Sequence, residues 1–341
     1  MDTEVLAFDE TSIARGAAFL RAGKLVAFPT ETVYGLGANA LDGPGVEGIF
    51  EAKGRPMDNP LIVHVGSLDQ VCSLVKEIPP LAHKLMKRFW PGPLTLVLKR
   101  SPTVPDGVTG GLDTVAVRMP DHPVALALLR AAALPVAAPS ANLSGRPSPT
   151  TAAHVLADLR GRIAAVVDGG PCPVGVESTV LDVTSEPPVI LRPGGITREQ
   201  LLCLTPLGTM DPSDTDAVRR SPGQRYQHYA PRTPLVLVEG LNQEEIVGEI
   251  TKRITQCQER GQRVGVICSG ENAHHYMGIP KVVLGRYAEP EVVSARLFDA
   301  LRQVDDWDVD RVFCEALPER GLGVAIMDRL RRAAGHFVEG G

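Results

Sequence analysis

Lys24-Leu-Val-Ala-Phe28, followed at once by Pro29-Thr-Glu-Thr-Val-Tyr-Gly-Leu-Gly37, decides the fold class. The first five residues read as a short buried strand, and residues 12–22 before them have helical apolar spacing. Working outward, strand-like runs recur at 61–65, 94–98, 115–118, 136–138, 164–167, 178–183 and 189–191. Helical spacing lies between many of them, at 46–53, 68–77, 81–89, 123–132 and 150–159. This alternation, with several strand–strand neighbours, predicts an α/β fold built on a mixed twisted sheet over residues 1–208. Small hydroxyls and a carboxylate after a strand, as in 29–37, form a ligand-facing loop, although a plain strand-to-helix turn has the same composition.

From residue 209 to 234 the chain turns polar and rich in Pro and Asp, with Arg225, Tyr226, His228, Tyr229 and Arg232 bunched near its end. A connection of this length is a linker or a functional loop. Beyond it, strands at 235–238, 263–269, 282–284 and 311–315 alternate with helices at 243–260, 290–303 and 323–334. The expected organisation is therefore an α/β unit at 1–208, a linker or functional loop at 209–234, and a small Rossmann-like α/β domain at 235–341.

Composition excludes several classes. Of 341 residues 44% are hydrophobic, enough for a real core and too many for a disordered chain. A net charge of −5 argues against a protein that wraps nucleic acid by charge alone. The six cysteines show neither CxxC spacing nor clustering with histidine, which excludes a zinc ribbon. The longest apolar stretch, 124–138, is broken by Arg130 and Pro135 and falls short of the roughly 20 residues that span a bilayer. MDTEVLAFDE lacks the basic and apolar regions of a signal peptide, so a soluble cytoplasmic protein is expected. The basic residues are 27 Arg and 8 Lys, a bias that fits anion recognition and a high-GC genome equally well.

Several motifs carry chemistry. Gly43-Pro-Gly45-Val-Glu-Gly48 matches GxGxxG but lies well past the 24–28 strand, so it reads as a surface turn capping a helix. Lys53-Gly-Arg55-Pro-Met-Asp-Asn59-Pro sets two cations in rigid backbone, suited to oriented phosphate binding or to the C-terminus of a helix. His64 is a lone polar residue in an apolar strand, either a hydrogen-bonded core residue or a ligand contact. Arg118 ends a strand and could hold a carboxylate or complete a structural ion pair. Pro139-Ser140-Ala-Asn142-Leu-Ser144-Gly145 has the hydroxyls, amide and exposed N–H groups of an anion nest, and Glu177-Ser-Thr179 and Leu191-Arg-Pro-Gly-Gly195 complete the set. Many anion readers with no obvious nucleophile and no redox group fit phosphoryl or nucleotidyl transfer driven by positioning and electrostatics.

The ordered segments PTETVYGLG, KGRP…NPLIVHV, FWPGPLTLVL, VAVRMPDHP, PSANLSG, ESTVLDV and LRPGG resemble the YrdC/YwlC-type threonylcarbamoyl-adenylate synthases. With the SPGQRYQHYAP linker and the second domain, the chain is similar to the long two-domain form; Gln224 departs from the family's Met. The resemblance implies a nucleotidyltransferase. It would convert L-threonine, bicarbonate and ATP, with Mg2+ on the phosphates, to threonylcarbamoyl-AMP and pyrophosphate. A separate transferase would then modify adenosine 37 of tRNA, with weak tRNA contact possible. It also implies site residues: Thr32, His64, Arg118, the backbone of Ala138, and Ser178 for L-threonine. For ATP it implies Arg55, Asn59, Thr114, Ser140, Asn142, Ser148, Arg192 and Tyr226. Lys53 and Arg55 are the implied catalytic cations, the metal ligands are unassigned, and the linker around Tyr226 would close as a lid. Two other readings are an RNA-binding module, disfavoured by net charge and few aromatics, and a carbamoyl-transfer enzyme of hydrogenase maturation, which adds zinc-finger cysteines that this chain lacks.

Overall fold

Alternation along the strands sorts their side chains onto two faces, and the faces are finished differently. In the computed structural model, described for residues 2–210, 219–221, 228–240, 242–335 and 338–340, the first compact unit comprises Met1–Ser144 and Ser148–Tyr226. Its strands are β1 (Glu4–Leu6), β2 (Val26–Phe28), β3 (Gly35–Asn39), β4 (Ile62–His64), β5 (Leu94–Lys99), β6 (Thr114–Arg118), β7 (Val136–Ala137), β8 (Ala165–Val167), β9 (Thr179–Asp182) and β10 (Val189–Arg192). They form one mixed sheet in the order β1-β8-β2-β3-β7-β4-β6-β5-β9-β10.

One face of this sheet packs into the main core through Ala27, Val63, Leu96, Val115, Val117, Ala137 and Leu181, with Val46, Ile49, Phe50, Leu85 and Phe89 supplied by helices. On the other face, Val26, Phe28, Val136 and Val167 meet α1 (Glu10–Arg21) and α6 (Pro123–Ala132) through Ile13, Ala17, Leu20, Val124 and Leu128. Asp9 starts α1 by accepting from the Ser12 N–H at 2.8 Å. The rest of that second face is a patch of Ile62, Val97, Ala116, Val180 and Leu191, every one of them from a strand. Helices thus pack on one part of this face, and the buried patch on another part is made of strand residues.

In this unit the strands β1 and β3 and the short helices Asp106–Thr109 and Arg198–Leu202 depart from the sequence expectation, and β3 shortens the expected 29–37 loop to 29–34. Gly35-Leu-Gly-Ala-Asn39 has little β-propensity, yet it pairs antiparallel with β2, and a Cβ at Gly37 would lie 2.8 Å from the Phe28 ring. The GxGxxG run begins α2 (Gly43–Lys53), with Asp42 as N-cap, directly after this antiparallel strand.

The second unit, Gly145–Pro147 with Gln227–Gly341, has strands β11 (Leu235–Glu239), β12 (Val264–Cys268), β13 (Lys281–Val283), β14 (Arg311–Glu315) and β15 (Val338–Gly340). They are all parallel, in the order β13-β12-β14-β11-β15. The helices Gln243–Glu259, Pro290–Gln303 and Gly323–Ala334 connect them, as a βαβ architecture requires. Among the described residues no helix is long and apolar enough to cross a membrane.

Candidate active site

The parallel pairing of β4 with β6 sets His64 opposite Arg118, on the face that carries Ile62 and Ala116. Arg118 is only 3% exposed. Its Nε donates to the Gly92 carbonyl at 3.2 Å and its Nη1 to Thr32 Oγ1 at 2.9 Å. Its Nη2 lies 2.6 Å from Glu31 Oε2. Thr32 is held by Thr30, whose Oγ1 lies 2.8 Å from Thr32 Oγ1 and accepts from the Thr32 and Val33 N–H groups at 3.2 Å. His64 stands edge-on to Phe28 with centroids 6.1 Å apart. Burial, and after it the Arg118 guanidinium, push the His64 pKa down to about 3, so the imidazole is neutral.

Ser178 sits just before β9, where Thr95 Oγ1 is 2.7 Å from its Oγ. Arg192 donates from Nε and Nη2 to the Ser178 carbonyl at 3.2 and 3.0 Å, and from Nη2 to Ser178 Oγ at 3.2 Å. The loop after β10 can lie this close because residue 194 is glycine: a Cβ there would be 2.3 Å from the Thr179 nitrogen. Ala138 is fixed by its N–H, which donates to the Ile62 carbonyl at 2.8 Å.

Lys53 ends α2, and Gly54, at φ 62, turns the chain out of the helix. The Lys53 ammonium, 3% exposed, donates to the carbonyls of Ser140 and Asn142, both at 2.5 Å. Ser140 Oγ donates to Asn142 Oδ1 at 2.5 Å, so the 139–144 loop closes around this one cation. Arg55 Nη2 donates to the carbonyls of Pro60 and Asn59 at 3.1 and 3.4 Å, and Ser148 Oγ to Glu177 Oε1 at 2.7 Å. Thr114 opens β6 on the same face as Arg118.

The residues expected to form the site therefore meet in sets: Thr32 with Arg118 and His64, Ser178 with Arg192, Lys53 with Ser140 and Asn142, and Arg55 with Asn59. Tyr226 lies outside the described residues. Sequence reading did not anticipate Thr95, an unremarkable threonine in an apolar strand, nor that Glu31 would face Arg118. Glu31 and Glu177 face Arg118 and Ser148, and no set of three or more potential metal ligands occurs among the described residues.

Comparison with known proteins gives a consistent result. A family model described as telomere recombination matches residues 18–194, and one described as the C-terminal domain of threonylcarbamoyl-AMP synthase matches 196–335. The threonylcarbamoyl-AMP synthase of Bacillus subtilis is 51% identical over 342 residues, covering 98% of this chain and 96% of its own. That of Pyrococcus abyssi is 50% identical over 336 residues, covering 97% and 96%. The crystal structure of P. abyssi Sua5 complexed with L-threonine superposes with a TM-score of 0.91 at 46% identity, over 100% of both chains.

Proposed function

The chain belongs to the threonylcarbamoyl-AMP synthase family, and from that premise we infer how its residues divide the reaction. It is a nucleotidyltransferase that forms threonylcarbamoyl-AMP from L-threonine and ATP. In the reading proposed here, bicarbonate supplies CO2, and the threonine amine adds to it with loss of a proton to give a carbamate. A carbamate oxygen then attacks the α-phosphorus of ATP, the bond to the bridging oxygen breaks, and pyrophosphate leaves. ATP would arrive with Mg2+ held by phosphate oxygens and water. The product would pass in the cytoplasm to a separate transferase acting on tRNA.

Both reactants are anionic, so the work of the protein is to position them and offset their repulsion. Arg118 takes the threonine carboxylate, with Thr32, His64, Ala138 and Ser178 around the rest of the substrate. Arg55, Asn59, Thr114, Ser140, Asn142, Ser148 and Arg192 take ATP, and Lys53 faces the carbamate and α-phosphate. What supports the assignment above all is the contact of Arg118 with Thr32, 86 residues away in the chain, beside a neutral His64.

Pyrophosphate release from Mg2+ and ATP, with L-threonine and bicarbonate each supplied or omitted, tests this reading. Release should require both. Serine in place of threonine should cost the equivalent of one methyl, about 1–3 kcal/mol in kcat/KM. Release without either co-substrate would mark an ATP pyrophosphohydrolase instead.

A further inference from the structure

An amino acid enters a site as a zwitterion, so a guanidinium for its carboxylate answers half of the recognition. The other half needs an anion within the length of one small molecule. Glu31 is the carboxylate beside Arg118, and it is 5% exposed. The charges touch at 2.6 Å, yet the geometry is not that of a hydrogen bond: Glu31 Oε1, Glu31 Oε2 and Arg118 Nη2 have no hydrogen-bond partner among the described residues. The other Arg118 nitrogens act differently, with Nε held by Gly92 and Nη1 by Thr32. Buried ionic atoms are almost always hydrogen-bonded, and a buried pair left without those bonds is costly. Two further titratable groups feel Glu31: burial lowers the His122 pKa and raises that of the Cys172 thiol to about 12, so both are biased to their neutral forms. Arg118 is then the charge that Glu31 faces.

We propose that Glu31 receives the α-ammonium of the substrate, so that Arg118 and Glu31 together form a dipolar seat for a free amino acid. The inference rests on the reading of Arg118 as the carboxylate partner. On binding, the substrate carboxylate comes to Nη2 and the ammonium N–H groups to the Glu31 oxygens. Two charges meet two opposite charges, and the site stays neutral before and after. Glu31 is in this sense a specificity determinant: it selects a free amine, the group that must later attack CO2, and disfavours ligands without one.

Titration calorimetry on the full chain, with L-threonine and with 2,3-dihydroxybutanoate, in which a hydroxyl replaces the ammonium, tests this. The wild type should prefer threonine. Glu31→Gln should weaken threonine roughly 10- to 100-fold, the range for a charged hydrogen bond, and change the hydroxy acid less than about threefold, so the preference collapses. Equal losses for both ligands, or none for either, overturn the proposal. If Glu31→Gln does not fold, Glu31→Asp, which keeps the charge one methylene shorter, must still erode the preference, and an unchanged preference there overturns it as well. If Arg118→Ala leaves threonine affinity intact, the carboxylate reading has failed. If Arg118→Ala abolishes binding but Glu31→Gln keeps the preference, only the role of Glu31 has failed.

Discussion

Both compact units bury glutamates, and Glu315 and Glu31 are treated in opposite ways. Glu315, at the end of β14 in the second unit, is 1% exposed. It accepts from the Ser269 N–H at 2.9 Å and from the Tyr276 hydroxyl at 2.8 Å, with the Tyr287 hydroxyl at 3.5 Å. Tyr287 in turn meets Gln243 and Asn272 at 2.5 and 2.9 Å. Glu31 in the first unit is almost as buried and has a cation within 2.6 Å, yet both its oxygens lack hydrogen bonds among the described residues. A buried charge is therefore not in itself the sign of a site. The hydrogen-bonded carboxylate of Glu315 ties strand and loops together, whereas Glu31 meets a cation without those bonds.

This contrast can be broken experimentally. The largest effect is expected at Arg118: Arg118→Ala should raise KM for threonine by about 100-fold or more and move KM for ATP by less than about threefold in steady-state pyrophosphate release. Equal effects on both substrates would take Arg118 out of the threonine seat. Next, Glu315→Leu removes the acceptor for Tyr276 and Ser269, and should cost roughly 2–4 kcal/mol in urea unfolding while leaving threonine affinity unchanged. Unaltered stability would end the contrast, because Glu315 would then carry no structural load.

A smaller effect concerns His64. Its folded pKa, about 3, lies below the ordinary value of 6.5, so between these limits the unfolded chain binds a proton that the folded chain refuses. Its contribution to stability is present above about pH 6.5 and declines as pH falls through the window, by at most about 1.4 kcal/mol per pH unit. Urea melts of wild type and His64→Gln at about pH 7, 6 and 5 should show a shallower acid slope for the variant. Equal slopes would mean that the His64 pKa does not change on folding.

Legibility followed locality. The helices Pro290–Gln303 and Gly323–Ala334 and the strand Arg311–Glu315 were readable to the residue, because apolar period and Pro290 at a helix start are local signals. β3 was not, because Gly35 and Gly37 lower its propensity and its pairing with β2 depends on room for the Phe28 ring. Among the expected site residues the sequence supplied the types and the order, down to Lys53 at a helix end and Arg118 at a strand end. It also showed Glu31 in its motif, but gave no sign that this carboxylate would face Arg118.

By itself, then, the sequence determined the α/β class, the two units' alternating elements and the chemical groups available for anion binding. All of these are written in spacing over a few residues, where backbone preference and amphipathic period act. Only the tertiary structure decided that Arg118 meets Thr32 and Glu31, that Thr95 meets Ser178 83 residues away, and that Lys53 is enclosed by the 139–144 loop. Those contacts follow from strand register and from which part of a sheet face the helices cover. Both are set cooperatively by the whole packed core, and no local stretch of sequence encodes them.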